Sequence, residues 1–123
     1  MHELALTEQL LAAALTLCSE EQRPASTPLA ISEIHLRVGS LTGVVPDSVS
    51  LYFDQLAAGT AAAGAQLSFE REEATATCTR CGATDAVELP LLPLCAHCGG
   101  PLEVHGGADL VLQRVVLVEE SPS

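Results

Sequence analysis

The spacing of apolar residues changes along the chain, and each change marks a different element. Between residues 4 and 22, Leu4, Leu11, Leu15 and Cys18 fall at helical intervals, with Leu10, Ala14 and Leu17 widening the stripe. Glu8, Gln9, Glu20 and Glu21 occupy polar positions, so the segment predicts an amphipathic helix. Pro24 and Pro28 then bracket a loop with Ser26 and Thr27. From residue 30 to 38 the period falls to two. Ile34, Leu36 and Val38 point one way, and Glu33, His35 and Arg37 the other, as in a half-buried strand. Gly39 ends it and opens a loop to Val45. A second helix is expected from Pro46, a residue suited to a first helical turn, with Asp47 placed where it favours the helix dipole. Val49, Tyr52, Phe53 and Leu56 form its apolar face, and Gly59 is its stop. A second strand runs from about Ala65 to Glu73, with Leu67 and Phe69 inward. The apolar run Leu110 to Val118 predicts a strand buried on both faces that returns to the first sheet. The tail from Glu119 is expected to fray.

Between about Thr75 and His105 the character differs. This stretch holds four of the five Cys and three of the seven Pro. It reads as a loop-rich module inserted before the last strand. The expected fold class is therefore α+β: a small mixed three-stranded sheet with two helices, plus an inserted domain. The expected boundaries are 1–74 with 106–123 for the discontinuous α/β domain, and 75–105 for the insert.

Charge narrows the function. The chain has 123 residues, 5 basic against 16 acidic, and a formal net charge of −11. Every basic residue is Arg, so chemistry that needs Lys, such as a Schiff base or a Walker phosphate loop, is excluded. No basic patch can neutralise a phosphate backbone, so neither nucleic acid nor an anionic membrane surface is an expected partner. No apolar run is long enough to span a bilayer. Glu3 and Glu8 give the N-terminal region the wrong charge for a secretory signal, and the expected location is cytoplasmic. In a reducing compartment, paired cysteines more often mean metal than disulfide. With 48% hydrophobic but only 2% aromatic residues, the core must be built from Leu, Val, Ile and Ala, and a short chain of this kind gains from a staple.

The staple is legible. Cys78-Thr-Arg-Cys81-Gly82 and Cys95-Ala-His-Cys98-Gly99 form two C-x2-C pairs separated by thirteen residues. Each pair can present two sulfurs to one metal, and the following Gly permits positive φ. Four thiolates would close a structural Zn(II) site with no open position for substrate. Two disulfides, a redox pair and rubredoxin-like iron are the competing readings. Cys18 is expected to be a small core residue.

A second constellation opens the chain. In Met1-His2-Glu3, the Met1 amine, the His2 amide and the His2 imidazole can chelate one metal through adjacent rings. Glu3, through backbone or side chain, or another His, could complete the set. Nitrogen-rich tetragonal donors suit Ni(II) or Cu(II); the competing reading is a solvated terminus. Of the other histidines, His97 lies inside the second knuckle and is the outside candidate for a further nickel ligand. His35 is expected on a solvated strand face, and His105 lies near the exit of the insert. Glu70, Arg71, Glu72 and Glu73 are expected to form a solvated strand end.

Taken with Val38-Gly39-Ser40-Leu41-Thr42-Gly43-Val44, Phe53-Asp54, Ala58-Gly59-Thr60, Gly64-Ala65 and Gly106-Gly107-Ala108-Asp109-Leu110, these motifs make the chain resemble the HypA family of hydrogenase maturation nickel metallochaperones over nearly its full length. Ala5 and the Ala96-His97 pair depart from the family's usual residues without removing a ligand. The resemblance implies an α/β nickel-binding domain with an inserted zinc-ribbon domain. It implies nickel at His2 with Glu3 adjacent, and structural zinc at Cys78, Cys81, Cys95 and Cys98. The implied partners are the GTPase HypB and the nickel-iron hydrogenase large-subunit precursor; some members also serve urease maturation. The expected role is a carrier of Ni(II), not an enzyme. A zinc-ribbon protein-interaction module without nickel function is the alternative. A metalloenzyme would need an open metal position that four Cys ligands do not leave.

Overall fold

The structure, a computed structural model, describes residues 2–22, 27–90 and 94–119. Met1, the loop around Pro24 and Ser26, and the tail beyond Glu119 lie outside the described residues. The elements run α1 (His2–Gln22), β1 (Leu29–Gly39), α2 (Pro46–Ala57), β2 (Gln66–Glu72), β3 (Ala74–Cys78), β4 (Thr84–Val87), β5 (Leu102–His105) and β6 (Leu110–Glu119). Among the described residues these make two helices and two three-stranded sheets, in the orders β2-β1-β6 and β4-β3-β5. The chain divides into two compact units, one of residues 1–36, 44–69 and 112–123, the other of residues 37–43 and 70–111.

In the first unit α1 and α2 pack together. The buried stripe of α1 is Thr7, Leu10, Leu11, Ala14 and Cys18, all at helical spacing. Cys18 is a core residue, as expected. Leu4 and Leu17 lie outside the stripe, at 39% and 43% exposure. Thr7, fully buried, was not expected there; its hydroxyl is satisfied by donating to the Glu3 carbonyl one turn back. On α2, Val49, Phe53 and Ala57 recur every fourth residue and are buried. Ile31, Ile34 and Leu36 of β1 add to this core. Such a core, with Phe53 as its one fully buried aromatic, rests on close packing of small aliphatic groups.

Strand β6 corrects an expectation. Its apolar sequence predicts burial on both faces, yet none of its residues is buried. It is an edge strand, covered laterally by β1 alone, so the apolar side chains are only half covered. Val111 and Val118 remain 41% and 44% exposed. The Ser32 hydroxyl donates to the Val116 carbonyl and His35 Nε2 meets Arg114, so residue numbers fall on β6 as they rise on β1: the pair is antiparallel.

The second unit is a sheet with β3 at its centre. β3 pairs antiparallel with β4, from Ala74–Val87 to Thr77–Thr84, and with β5, from Thr75–His105 to Cys78–Leu102. Ala74, Ala76 and Cys78 alternate inward. One end of this sheet is gripped by residues 39–41. The Ser40 hydroxyl accepts from the Ala74 amide (2.9 Å) and donates to the Val87 carbonyl (3.0 Å), bridging β3 and β4. The Ser40 amide donates to the Glu72 carbonyl, and the Leu41 amide to the Gly107 carbonyl, both at 2.8 Å. Glu72 is not the solvated residue expected of a charged strand end. It is half-buried, and its carboxylate accepts from the Gly107 amide at 2.8 Å and from Arg37 at 3.4 Å. Glu70, Arg71 and Glu73 are exposed, as expected.

This grip requires two glycines. A Cβ on Gly39 would lie 2.2 Å from the Gly107 carbonyl oxygen. A Cβ on Gly107, where φ is also +69°, would lie 2.5 Å from that of Ala74. We therefore expect Gly39→Ala to cost about 3 kcal/mol, the scale of a forced overpacking. Ser40→Ala, which removes two hydrogen bonds without a clash, should cost about 1–2 kcal/mol. Urea unfolding of the metal-loaded protein, followed by circular dichroism, measures both; equal stability of Gly39→Ala and the parent would contradict the close approach.

Candidate metal centre

The two C-x2-C segments fold as a repeated turn. In the first, the Cys78 amide donates to the Ala83 carbonyl and the Gly82 amide to the Cys78 carbonyl. In the second, the Cys95 amide donates to the Gly100 carbonyl and the Gly99 amide to the Cys95 carbonyl. The spacing of donors and acceptors is the same in both. Gly82 and Gly99 have φ of +77° and +75°, the left-handed conformation that the Gly after each pair was expected to supply. The same geometry turns amides onto sulfur. The Arg80 and Cys81 amides donate to Cys78 Sγ and the His97 amide to Cys95 Sγ, each at 3.3 Å.

The turns bring Cys78, Cys81, Cys95 and Cys98 together, with all four sulfurs within 4.8 Å of one another. The Cys78–Cys98 and Cys81–Cys95 separations are 3.5 and 3.7 Å. A tetrahedron with metal–sulfur bonds of about 2.3 Å has edges of about 3.8 Å, so the cluster fits a zinc site. None of the cysteines is in a disulfide. The first cysteine of each turn is buried and the second exposed. A glycine beyond the motifs also packs tightly against the sulfurs. A Cβ on Gly100 would lie 3.0 Å from Cys78 Sγ and 3.2 Å from Cys98 Sγ. The Gly99-Gly100 doublet is the sequence signal for it: the first Gly turns the chain, the second makes room for the sulfurs.

The sulfurs differ electrically. The Cys78 thiol is drawn down to about 6, first by the hydrogen bond from the Cys81 amide, then, against the cost of burial, by those from Arg80 and the neighbouring thiols. Cys98 accepts from the Gly100 amide, which lowers its pKa, but its contact with Cys78, its burial and the other thiols outweigh this and push it up to about 12. One thiolate is thus stabilised by amides while its neighbour keeps its proton, as expected of like charges crowded together.

His97 is exposed on the second turn, and its Nε2 lies 3.0 Å from Asp85 Oδ2. His35 Nε2 lies 3.2 Å from Glu33 and 3.1 Å from Arg114, so its ring is engaged rather than merely solvated. His105 is exposed. His2 begins α1, and its side chain lies outside the described residues, as does Met1. Glu3 is half-buried, with Oε2 3.4 Å from the Val45 amide.

A family model described as "Hydrogenase/urease nickel incorporation, metallochaperone, hypA" matches residues 1–117. The chain belongs to the HypA family. A hydrogenase maturation factor HypA from Dehalococcoides mccartyi is 36% identical over 124 residues, covering 100% of this chain and 99% of the relative. One from Archaeoglobus fulgidus is 32% identical over 117 residues, covering 95% and 98%. In fold, the chain is similar to the solution structure of the Ni metallochaperone HypA from Helicobacter pylori. The TM-score is 0.57 at 15% identity, covering 96% of this chain and 98% of that one. A second HypA solution structure gives 0.60 at 17% identity, with 98% of each chain covered. The family is one of metallochaperones for nickel incorporation, carriers rather than catalysts. No helix among the described residues is long and apolar enough to cross a membrane.

The cluster makes a proton-linked prediction. Metal binds thiolate, so Cys98 must lose a proton on binding, whereas Cys78, lowered to about 6, is already ionised at neutral pH. Fewer than four protons should leave per Zn(II) bound at about pH 7.5, and affinity should fall as pH drops, most steeply once Cys78 protonates below about 6. Proton release measured with an indicator dye in weak buffer checks this. Release of all four at that pH would show that Cys78 is not ionised beforehand.

Proposed function

We propose that this chain carries Ni(II) to the nickel-iron hydrogenase large-subunit precursor during maturation. Nickel is held at the N-terminus, by the Met1 amine and by the His2 amide and imidazole, with Glu3 adjacent. A terminal set of nitrogen donors selects a tetragonal metal, and protonation of those donors gives a route to release. The observation that carries this reading is the family match over residues 1–117, which takes in both Met1-His2-Glu3 and the four-cysteine cluster.

Cys78, Cys81, Cys95 and Cys98 are the proposed ligands of a structural Zn(II). Four sulfurs leave no position for a substrate, so zinc would supply rigidity and not reactivity. The proposed domains are a nickel-binding α/β domain of residues 1–74 and 106–123 and a zinc-ribbon domain of residues 75–105. His97 is a candidate additional nickel ligand, and recruiting its Nε2 would require release from Asp85. The proposed partners are the GTPase HypB, acting with this chain in delivery, and the hydrogenase precursor; maturation of urease is a further route for the same cargo. The proposed location is the cytoplasm.

The test is a Ni(II) titration of untagged protein beside His2→Ala and a variant acetylated at the Met1 amine. Each variant removes a chelate ring or the free amine, so each should bind at least about tenfold more weakly, a change of roughly 1.4 kcal/mol. Parent-like affinity in both would refute nickel binding at the N-terminus.

A further inference from the structure

We infer that the Glu3 carboxylate is a tether that positions the N-terminal nickel site, and that it stays on the protein when nickel binds. This rests on the proposed N-terminal site and assigns one side chain within it a role of its own. The start of α2 is poorly capped from within. Its N-cap is Val45, which offers no side-chain acceptor, and Pro46 follows at the first helical position. The first amides of a helix end carry partial positive charge and need acceptors. Glu3 Oε2 lies 3.4 Å from the Val45 amide, so a carboxylate from the first turn of α1 answers a donor at the entry to α2.

The backbone of the same residue is held as well. The Glu3 carbonyl accepts from the hydroxyl of Thr7, a side chain fully buried in the core. Glu3 is half-buried while its neighbours Leu4 and Ala5 are exposed. Its carboxylate lies against the entry to α2 at the protein surface. The first turn of α1 is anchored at two points, the carboxylate to Val45 and the carbonyl to Thr7. Met1 and His2 immediately precede this anchored residue in the sequence, so the tether fixes the chain at the point where the proposed donors begin. A carboxylate that moved onto the metal would abandon the Val45 amide and loosen the turn that presents the site.

The experiment follows the Val45 amide by hydrogen exchange in the full chain, without and with Ni(II), in the parent, Glu3→Ala and Glu3→Gln. In nickel-free protein, Glu3→Ala should speed exchange at Val45 by about fivefold or more, the scale of a lost helix cap. Glu3→Gln, which keeps an acceptor oxygen, should stay closer to the parent than Glu3→Ala does. In the parent, protection of Val45 should persist when Ni(II) is added. Unchanged exchange in Glu3→Ala would overturn the tether, and loss of protection in the parent on adding Ni(II) would show that the carboxylate transfers to the metal. Failure of the N-terminal site itself is read separately, as unchanged nickel affinity in His2→Ala, and does not alter the nickel-free comparison.

Discussion

Four sulfurs within 4.8 Å of one another set the terms for the second unit. Thiolates at that distance repel, and amide donors relieve the repulsion at Cys78 only by leaving Cys98 with its proton. A divalent cation removes the conflict, because all four can then ionise around it. The duplicated turns, Gly82 and Gly99 in the left-handed region, and the missing Cβ at Gly100 all serve this approach. The sheet that bears them has strands of four or five residues, too few apolar groups to hold a domain of this size alone. Metal coordination and the fold of this unit are therefore one equilibrium.

The opposite end of that sheet is closed by polar groups with no surplus. Ser40 uses its hydroxyl both ways, Glu72 uses both carboxylate oxygens, and Gly39 and Gly107 let two backbones approach more closely than any side chain would allow. The first unit works differently. Its two helices pack through Leu, Val, Ala and one Phe, and the one fully buried polar side chain among its described residues, Thr7, turns its hydroxyl onto its own helix. A nickel carrier built this way keeps its zinc-type site and its proposed terminal site chemically unlike: soft thiolates that lock, and nitrogen donors that can be protonated.

Much of this was legible beforehand. Period-two alternation located β1, helical spacing located α1 and α2, and the Cys spacing named the four residues that the fold brings together. The misses share a physical cause. Leu110 to Val118 reads as a doubly buried strand because hydropathy reports affinity for burial, whereas an edge position denies it a second neighbour. Glu72 reads as solvated among charged neighbours, because its partners, the Gly107 amide and Arg37, lie 35 residues away in either direction. Thr7 is absent from the expected stripe, yet it is fully buried because its own helix satisfies its hydroxyl.

The sequence by itself determined the element types, the four sulfur ligands and the chelating possibilities of Met1-His2-Glu3, since these follow from local periodicity and from the chemistry of adjacent groups. Tertiary structure alone decided which thiol ionises first, that a Cβ at Gly100 would crowd two sulfurs and that Gly39 must meet Gly107. It also turned the Glu3 carboxylate toward Val45, forty-two residues on. These depend on distances between segments remote in the chain. No local pattern encodes such distances, because packing sets them only when the chain closes on itself.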